Sequence, residues 1–280
     1  MTLTWAINPI VAKIAMGTLP PLLLAALRTV GAGLVILPLY LRERSAGRSI
    51  LMRDWPRLLF IGLVLQISNQ ALFIVGLQHT SVGHGAFLFT LSPVLVLLMA
   101  AALGQEQVGW RKVGGMLLCL AGVGLLSSDR GDSDAPATLY GDGLVLAGTV
   151  MFAAFTVLSK NERGRYGSVA LNTVAYCSGA VVYQMVIWFL YADFDYSTVS
   201  WQAWAAVAYM STLPAVAGYL IYQWALGHAP ASKIAVLQYV QPLLIVVMGA
   251  FLLGEKITAA LSLSGGLILA GVVLAERAPR

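Results

Sequence analysis

Long, uninterrupted apolar stretches constrain this chain more than any other feature. Each is about 20 residues long, the length at which an α-helix crosses the hydrocarbon core of a bilayer. Membrane β-strands would instead alternate apolar and polar side chains over about 10 residues. Because a backbone in lipid must satisfy its own hydrogen bonds, the sequence predicts an all-α, polytopic membrane protein with ten transmembrane helices. The ten stretches are residues 2–17, 21–41, 57–77, 82–103, 109–127, 141–160, 168–191, 201–221, 232–252 and 258–276.

Composition supports the same class. Of the 280 residues, 59% are hydrophobic and only 10% are charged, whereas a soluble domain carries about 25% charged residues. A chain with a mean hydropathy of +0.82 has too few polar side chains to cover its surface in water.

Basic side chains gather in or beside alternate loops. Thirteen of the 17 Lys and Arg residues fall in the even-numbered loops or the C-terminal tail, while the odd-numbered loops are mainly acidic. Since Lys and Arg favour cytoplasmic loops, both termini are predicted to lie in the cytoplasm, with the chain in the cytoplasmic (inner) membrane. The net charge of +5 therefore reflects topology, and no nucleic-acid partner is expected.

The second half of the chain repeats the first. With a shift of 149 residues, 76–98 aligns with 225–247, and no gap is needed over about 50 residues. The coincident pairs include His79 with His228, Pro93 with Pro242 and Glu106 with Glu255. Because each copy holds an odd number of helices, the copies enter the membrane from opposite sides, as in many secondary transporters. We predict a first five-helix repeat at 1–127, an external link at 128–140 and a second, inverted repeat at 141–280.

Local patterns add a family resemblance. Trp5, Asn8 and Lys13 form a W-x-x-N-x-x-x-x-K pattern, followed by PLLLAALR at 21–28 and by matching helix ends at 91–106 and 240–256. In these features the chain resembles the EamA-type branch of the drug/metabolite transporter superfamily. The resemblance implies two inverted repeats around a central cavity that opens alternately to each side. It also implies export of small metabolites, including aromatic amino acids, although other members carry nucleotide sugars or triose phosphates.

Polar side chains inside the predicted spans mark the candidate site, because a polar group at bilayer depth is costly unless it faces protein or water. In the third span they recur at i, i+3, i+4 and i+7, which is one helix face, and the eighth and ninth spans show similar sets. The predicted substrate-binding residues are Trp5, Asn8, Asn69, Gln70, Phe73, Phe89, Tyr219, Tyr222, Gln238 and Gln241. Pro242 is expected to free a carbonyl near the same depth. The alternative for each amide is an ordinary interhelix hydrogen bond, worth about 0.6 kcal/mol.

Four further side chains are assigned to gates or vestibules. Lys13 and Arg28 could attract a carboxylate in an outer vestibule, or could simply extend their charges to the membrane surface. His79 and His228 lie near helix ends, where structural capping is favoured over proton handling.

The function predicted from the sequence is a secondary transporter that exports small metabolites, most of all aromatic or neutral amino acids. A carrier of anionic phosphorylated or nucleotide-linked metabolites and a multidrug exporter are the alternatives. No motif of an enzyme, a metal site or a cofactor site is found in the sequence, so none is expected. The expected partners are the small-molecule substrate, the lipid bilayer and possible homodimer contacts through glycine-rich helix faces.

Overall fold

The computed structural model describes residues 1–45, 50–80, 85, 88–129, 138–241, 244 and 259–277. Helices occur at all ten predicted spans, and no β-strand is found among these residues, which confirms the all-helical class. Pro242, most of the predicted external link and part of the ninth span lie outside the described residues, so the prediction made for Pro242 stays a prediction.

The helices are named α1 to α10 in chain order. The first repeat contains α1 (Thr2–Ala15), α2 (Pro21–Ser45), α3 (Trp55–Leu59, Phe60–Ile67 and Ser68–His79), α4 (Ser92–Ala102) and α5 (Trp110–Asp129). The second repeat contains α6 (139–166), α7 (168–190), α8 (Trp201–Met210, Ser211–Gly218 and Tyr219–Leu226), α9 (Ala231–Val236 and Leu237–Tyr239) and α10 (Ala259–Glu276). Within the described ranges, four helical stretches are long and apolar enough to cross a membrane by themselves: Pro21–Glu43, Met52–His79, Leu139–Leu190 and Trp201–Leu226.

Helices α3 and α8 each contain a π-helical segment in the middle. These segments, Phe60–Ile67 and Ser211–Gly218, lie 151 residues apart, within two residues of the 149-residue shift between the repeats, so they occupy nearly corresponding places. A π-helical turn widens the helix and rotates the side chains that follow it, and such turns are frequent at functional sites. Both segments immediately precede the polar and aromatic residues predicted to face the cavity.

Charged side chains fasten the short connection between α6 and α7. Gly167 separates these helices, with a φ of 83° that a residue bearing a side chain rarely adopts. On the α6 side, Glu162 pairs with Arg57 at 3.0 Å, and Arg165 pairs with Asp54 at 3.0 Å. These pairs hold the start of α3 against the α6–α7 bend, on the side predicted to be cytoplasmic.

Glycines bring α5 and α10 into direct backbone contact. A Cβ on Gly115 would lie 2.5 Å from the Gly271 carbonyl, and one on Gly271 would lie 2.5 Å from the Gly115 carbonyl. Gly122 faces the Ser264 carbonyl in the same way, at 2.9 Å. These glycines therefore allow two helices of the same chain to pack closely against each other.

A buried ion pair joins α5 and the connection between α4 and α5 to the start of α9, across the two repeats. Lys112 donates to Glu106 at 2.8 Å, and the two side chains are only 5% and 4% exposed. Glu106 also accepts hydrogen bonds from the backbone N–H of Ser232, at 3.1 Å, and from its hydroxyl.

Candidate functional site

A cavity with about 550 Å³ of empty space lies between the two five-helix halves. It is lined by Trp5, Asn8, Pro9, Arg28, Asn69, Gln70, Phe73, Phe89, Phe152, Pro214, Tyr219 and Gln241. Eight of the ten residues predicted from the sequence to bind substrate are in this set; Tyr222 and Gln238 are the two that are not.

Aromatic rings form a continuous band along the cavity. Phe73 contacts Phe89, with ring centroids 5.6 Å apart, and Phe89 contacts Phe152 at 5.3 Å. Trp5 extends the band, 6.1 Å from Phe152 and 5.1 Å from Tyr219. Because these residues come from both repeats, the band gives the cavity an apolar wall built by the two halves together.

Trp5 also fastens α1 to the π-helical segment of α8. Its indole N–H donates to the Pro214 carbonyl at 3.0 Å. A Cβ on Gly218 would lie 2.7 Å from the indole nitrogen. The ring is therefore held in place by one hydrogen bond and by close packing, and its face is left for the cavity.

Amide groups supply the polar part of the lining. Asn69 uses its Nδ2 to donate to the carbonyls of Leu65 and Gln66, at 3.0 and 2.7 Å, where the π-helical segment of α3 ends. Gln70 donates to the Tyr176 hydroxyl at 3.2 Å, and its Oε1 is buried without a partner among the described residues. Both N–H groups of Asn69 and one of the two N–H groups of Gln70 are therefore engaged, so the amide oxygens are a main part of what these residues offer to the cavity.

Arg28 lines this cavity, which corrects the placement expected from the sequence. It is 4% exposed, so its charge does not reach the membrane surface, and it lies with Asn69 and Gln70 rather than in a separate vestibule. Its Nε has no hydrogen-bond partner in the part of the chain that the structure describes. The guanidinium lies within electrostatic range of the Tyr176 and Tyr219 hydroxyls.

Tyr222 and Gln238 lie behind the lining instead of in it. Tyr222 is fully buried and shares a 2.8 Å hydrogen bond with Thr156. Gln238 is 3% exposed and accepts a 3.0 Å hydrogen bond from Ser92 in the other repeat. Both side chains take part in interhelix hydrogen bonds, which for Gln238 is the alternative that the sequence left open.

The remaining three predicted gate residues lie at helix ends. Lys13 donates to the Leu77 carbonyl at 2.7 Å, in the last turn of α3. His79 is exposed and packs edge-on against Tyr140, with centroids 5.3 Å apart. His228 is exposed and bonds through Nδ1 to the carbonyl of its own helix, at 2.8 Å.

The polar pattern of the sequence did not identify three of the lining residues: Pro9, Phe152 and Pro214. A signal for Phe152 was present. Near the N-terminus the two repeats align with a shift of 147 residues instead of 149, which pairs Lys13 with Lys160 and also pairs Trp5 with Phe152. The two prolines carry no polar group, so nothing in a search for polar side chains could find them.

The family assignment follows from two matched segments that coincide with the two halves. The EamA-like transporter family matches residues 1–128 and 139–276. The chain belongs to the EamA-like transporter family. It is accordingly a membrane transporter of the drug/metabolite transporter superfamily, as the sequence patterns predicted.

Two relatives of this EamA-like transporter cover 95% and 80% of its length. An uncharacterized transporter of Bacillus subtilis (strain 168), YyaM, is 26% identical over 268 residues, which is 95% of this chain and 87% of the relative. A "probable terminal-alkyne amino-acid exporter" of Streptantibioticus cattleyicolor is 26% identical over 227 residues, covering 80% of this chain and 74% of the relative. A solved crystal structure superimposes with a TM-score of 0.77 at 22% identity, over 98% of this chain and 93% of the other, which supports the fold.

Proposed function

We propose that this EamA-like transporter exports small metabolites across the cytoplasmic membrane by alternating access, with aromatic or neutral amino acids as the main substrates. The observation that carries the proposal is the cavity itself. Both repeats contribute to it, and its lining combines aromatic rings with amides from α1, α3 and α9. Rings can pack against an amino-acid side chain, and a neutral amide can both donate and accept hydrogen bonds.

One relative supports the substrate class by its name, the probable amino-acid exporter of Streptantibioticus cattleyicolor. The alternative of a phosphorylated or nucleotide-linked substrate would require several cations at the site. Among the described lining residues, Arg28 is the one cation. A multidrug exporter would share the aromatic wall but would not depend on the polar lining, and substrate selectivity separates it from an amino-acid carrier.

Location and energy coupling belong to the same proposal. We infer that both termini lie in the cytoplasm, from the distribution of Lys and Arg. We also infer that a substrate gradient alone can drive flux, because no carboxylate is found among the described lining residues. Homodimer formation stays a prediction.

The test is uptake of a labelled amino-acid panel by proteoliposomes that contain the purified full-length chain, with no pH gradient imposed. A matched pair of variants on α1 links any flux to the cavity. Asn8→Trp should fill the cavity and abolish uptake, whereas Ile10→Trp, at a position 41% exposed on the outer face of the helix, should transport like the parent. The proposal is wrong if no amino acid is taken up, or if Asn8→Trp transports at the parental rate.

A further inference from the structure

Arg28 presents a charge that no residue in the described part of the chain neutralises. The side chain is 96% buried, being 4% exposed, and it lines the cavity. Among the described residues, none forms a hydrogen bond or an ion pair with its guanidinium. A buried, unpaired charge is strongly unfavourable, and an arginine stays protonated at every physiological pH. The cavity therefore carries a permanent positive charge, and the described part of the chain offers no counter-ion for it.

The chemistry of the guanidinium group indicates which chemical group of a substrate would bind to it. Its planar fork of N–H donors matches the two oxygens of a carboxylate. A single cation balances one negative charge, which fits a monocarboxylate better than a phosphate ester with two. The three tyrosine hydroxyls within electrostatic range, Tyr176, Tyr183 and Tyr219, are neutral and cannot replace the anion.

The orientation of Asn69 separates a second subsite from the first. Only an NH2 group can donate to the two carbonyls of Leu65 and Gln66, so its Oδ1 is left as an acceptor, and the Asn69 side chain also lies within hydrogen-bond range of the Tyr219 hydroxyl. Oxygen atoms of Asn8 and Gln70 are also buried without partners among the described residues. Acceptor oxygens of this kind suit the N–H groups of an ammonium, and the neighbouring ring faces add cation–π attraction.

We propose that Arg28 is the carboxylate anchor of the substrate site, and that the amide oxygens of Asn8, Asn69 and Gln70 form a weaker, separate subsite for the substrate ammonium. The apolar side chain then lies along Phe73, Phe89 and Phe152. This assignment rests on the proposed amino-acid transport and deepens it. It states that the carboxylate is essential for binding, whereas the ammonium is not.

The test compares analogues of the amino acid that gives the highest uptake in the panel. Competing ligands are its deaminated acid, its primary amide and its decarboxylated amine, measured in proteoliposomes with the parental protein. The deaminated acid should compete within a few-fold of the amino acid, because it keeps the contact with Arg28. The amide and the amine should compete at least about tenfold more weakly, since they lose a charge-assisted pair.

Variants connect this preference to the residue. Arg28→Gln should weaken binding of the amino acid at least about tenfold and bring the acid and the amide to equal affinity. Arg28→Lys, which keeps the charge without the planar fork, should retain part of the preference for the acid. Arg53→Gln is the control, because that side chain is 76% exposed and lies outside the cavity.

Each outcome separates this inference from the proposed function. If amino acids are transported but the amide and the amine compete as well as the acid, the anchor is wrong and the transport proposal stands. If no amino acid is transported, both are wrong. If Arg28→Gln does not fold, the analogue series on the parental protein still decides. A preference for the acid that survives unchanged in a folded Arg28→Gln protein would also overturn the assignment.

Discussion

Two glutamines three residues apart on α9 should respond differently to the same substitution. Gln241 lines the cavity, and its Nε2 is buried without a partner among the described residues. Gln238 lies outside the lining and accepts a 3.0 Å hydrogen bond from Ser92, whose side chain is fully buried. We therefore expect Gln241→Ala to impair transport and Gln238→Ala to impair stability.

The magnitudes follow from these contacts. Gln238→Ala removes the acceptor of a buried hydroxyl, which costs about 1–3 kcal/mol in soluble proteins, while interhelix bonds in membranes average about 0.6 kcal/mol. A loss of about 1 kcal/mol in the free energy of unfolding is the expectation. Gln241→Ala breaks no described bond, so its stability should change by less than about 0.5 kcal/mol. If its amide contacts the substrate, the loss of about 1–3 kcal/mol corresponds to about 5–150-fold in affinity.

The assay combines thermal unfolding of the purified variants in detergent with substrate affinity and transport in proteoliposomes. A double-mutant cycle with Ser92→Ala isolates the bond between the two repeats. The coupling energy between Ser92→Ala and Gln238→Ala should be about 0.6 kcal/mol, and at most about 1.7.

The reasoning would be refuted by an exchange of the two phenotypes. A stable Gln238→Ala protein with severely weakened substrate binding would mean that Gln238 contacts substrate directly. A Gln241→Ala protein with parental affinity and transport would remove Gln241 from the site.

Three further predictions concern stability and topology. Burial raises the pKa of Glu106, but hydrogen bonds from its two partners outweigh burial and hold the pKa below its ordinary value. Its contribution is therefore present above about pH 4.3 and is lost as the pH falls through the lowered pKa. Glu106→Gln should thus flatten the acid limb of a Tm-against-pH curve, and an unchanged limb would contradict this. Gly271→Ala should lower the free energy of unfolding by about 1–3 kcal/mol, because the new Cβ would lie 2.5 Å from a facing carbonyl. Gly266→Ala is the control and should not lower it, because no atom lies within 4 Å of its Cβ. Equal Tm values for the two variants would refute the packing argument. In intact cells an impermeant thiol reagent should label Leu139→Cys but not Met52→Cys, positions that are 92% and 84% exposed. The reverse pattern would mean that the topology is inverted. Labelling of the parental protein, through its own cysteines, gives the background to subtract.

The sequence by itself determined the helical class and most of the cavity face. Uninterrupted apolar stretches have one stable form in lipid, so the number and place of the helices could be predicted from length and hydropathy. The spacing of Asn69, Gln70 and Phe73 put them on one face, and the structure places all three in the lining. The internal repeat even contained a signal for Phe152, through its alignment with Trp5.

Only the tertiary structure decided which polar groups remain free. Gln238 and Gln241 are the same residue type on the same short helix, yet one is bonded across the repeats and the other lines the cavity. The burial of Arg28 without a described counter-ion was likewise invisible, because a sequence shows neither how deeply a charge is covered by other helices nor which groups lie beside it. The physical reason is that a hydrogen bond or an ion pair depends on distances of about 3 Å between helices. Those distances are set by helix packing and by the π-helical turns of α3 and α8. The turns rotate the helix faces, so the sequence periodicity gives their directions only approximately.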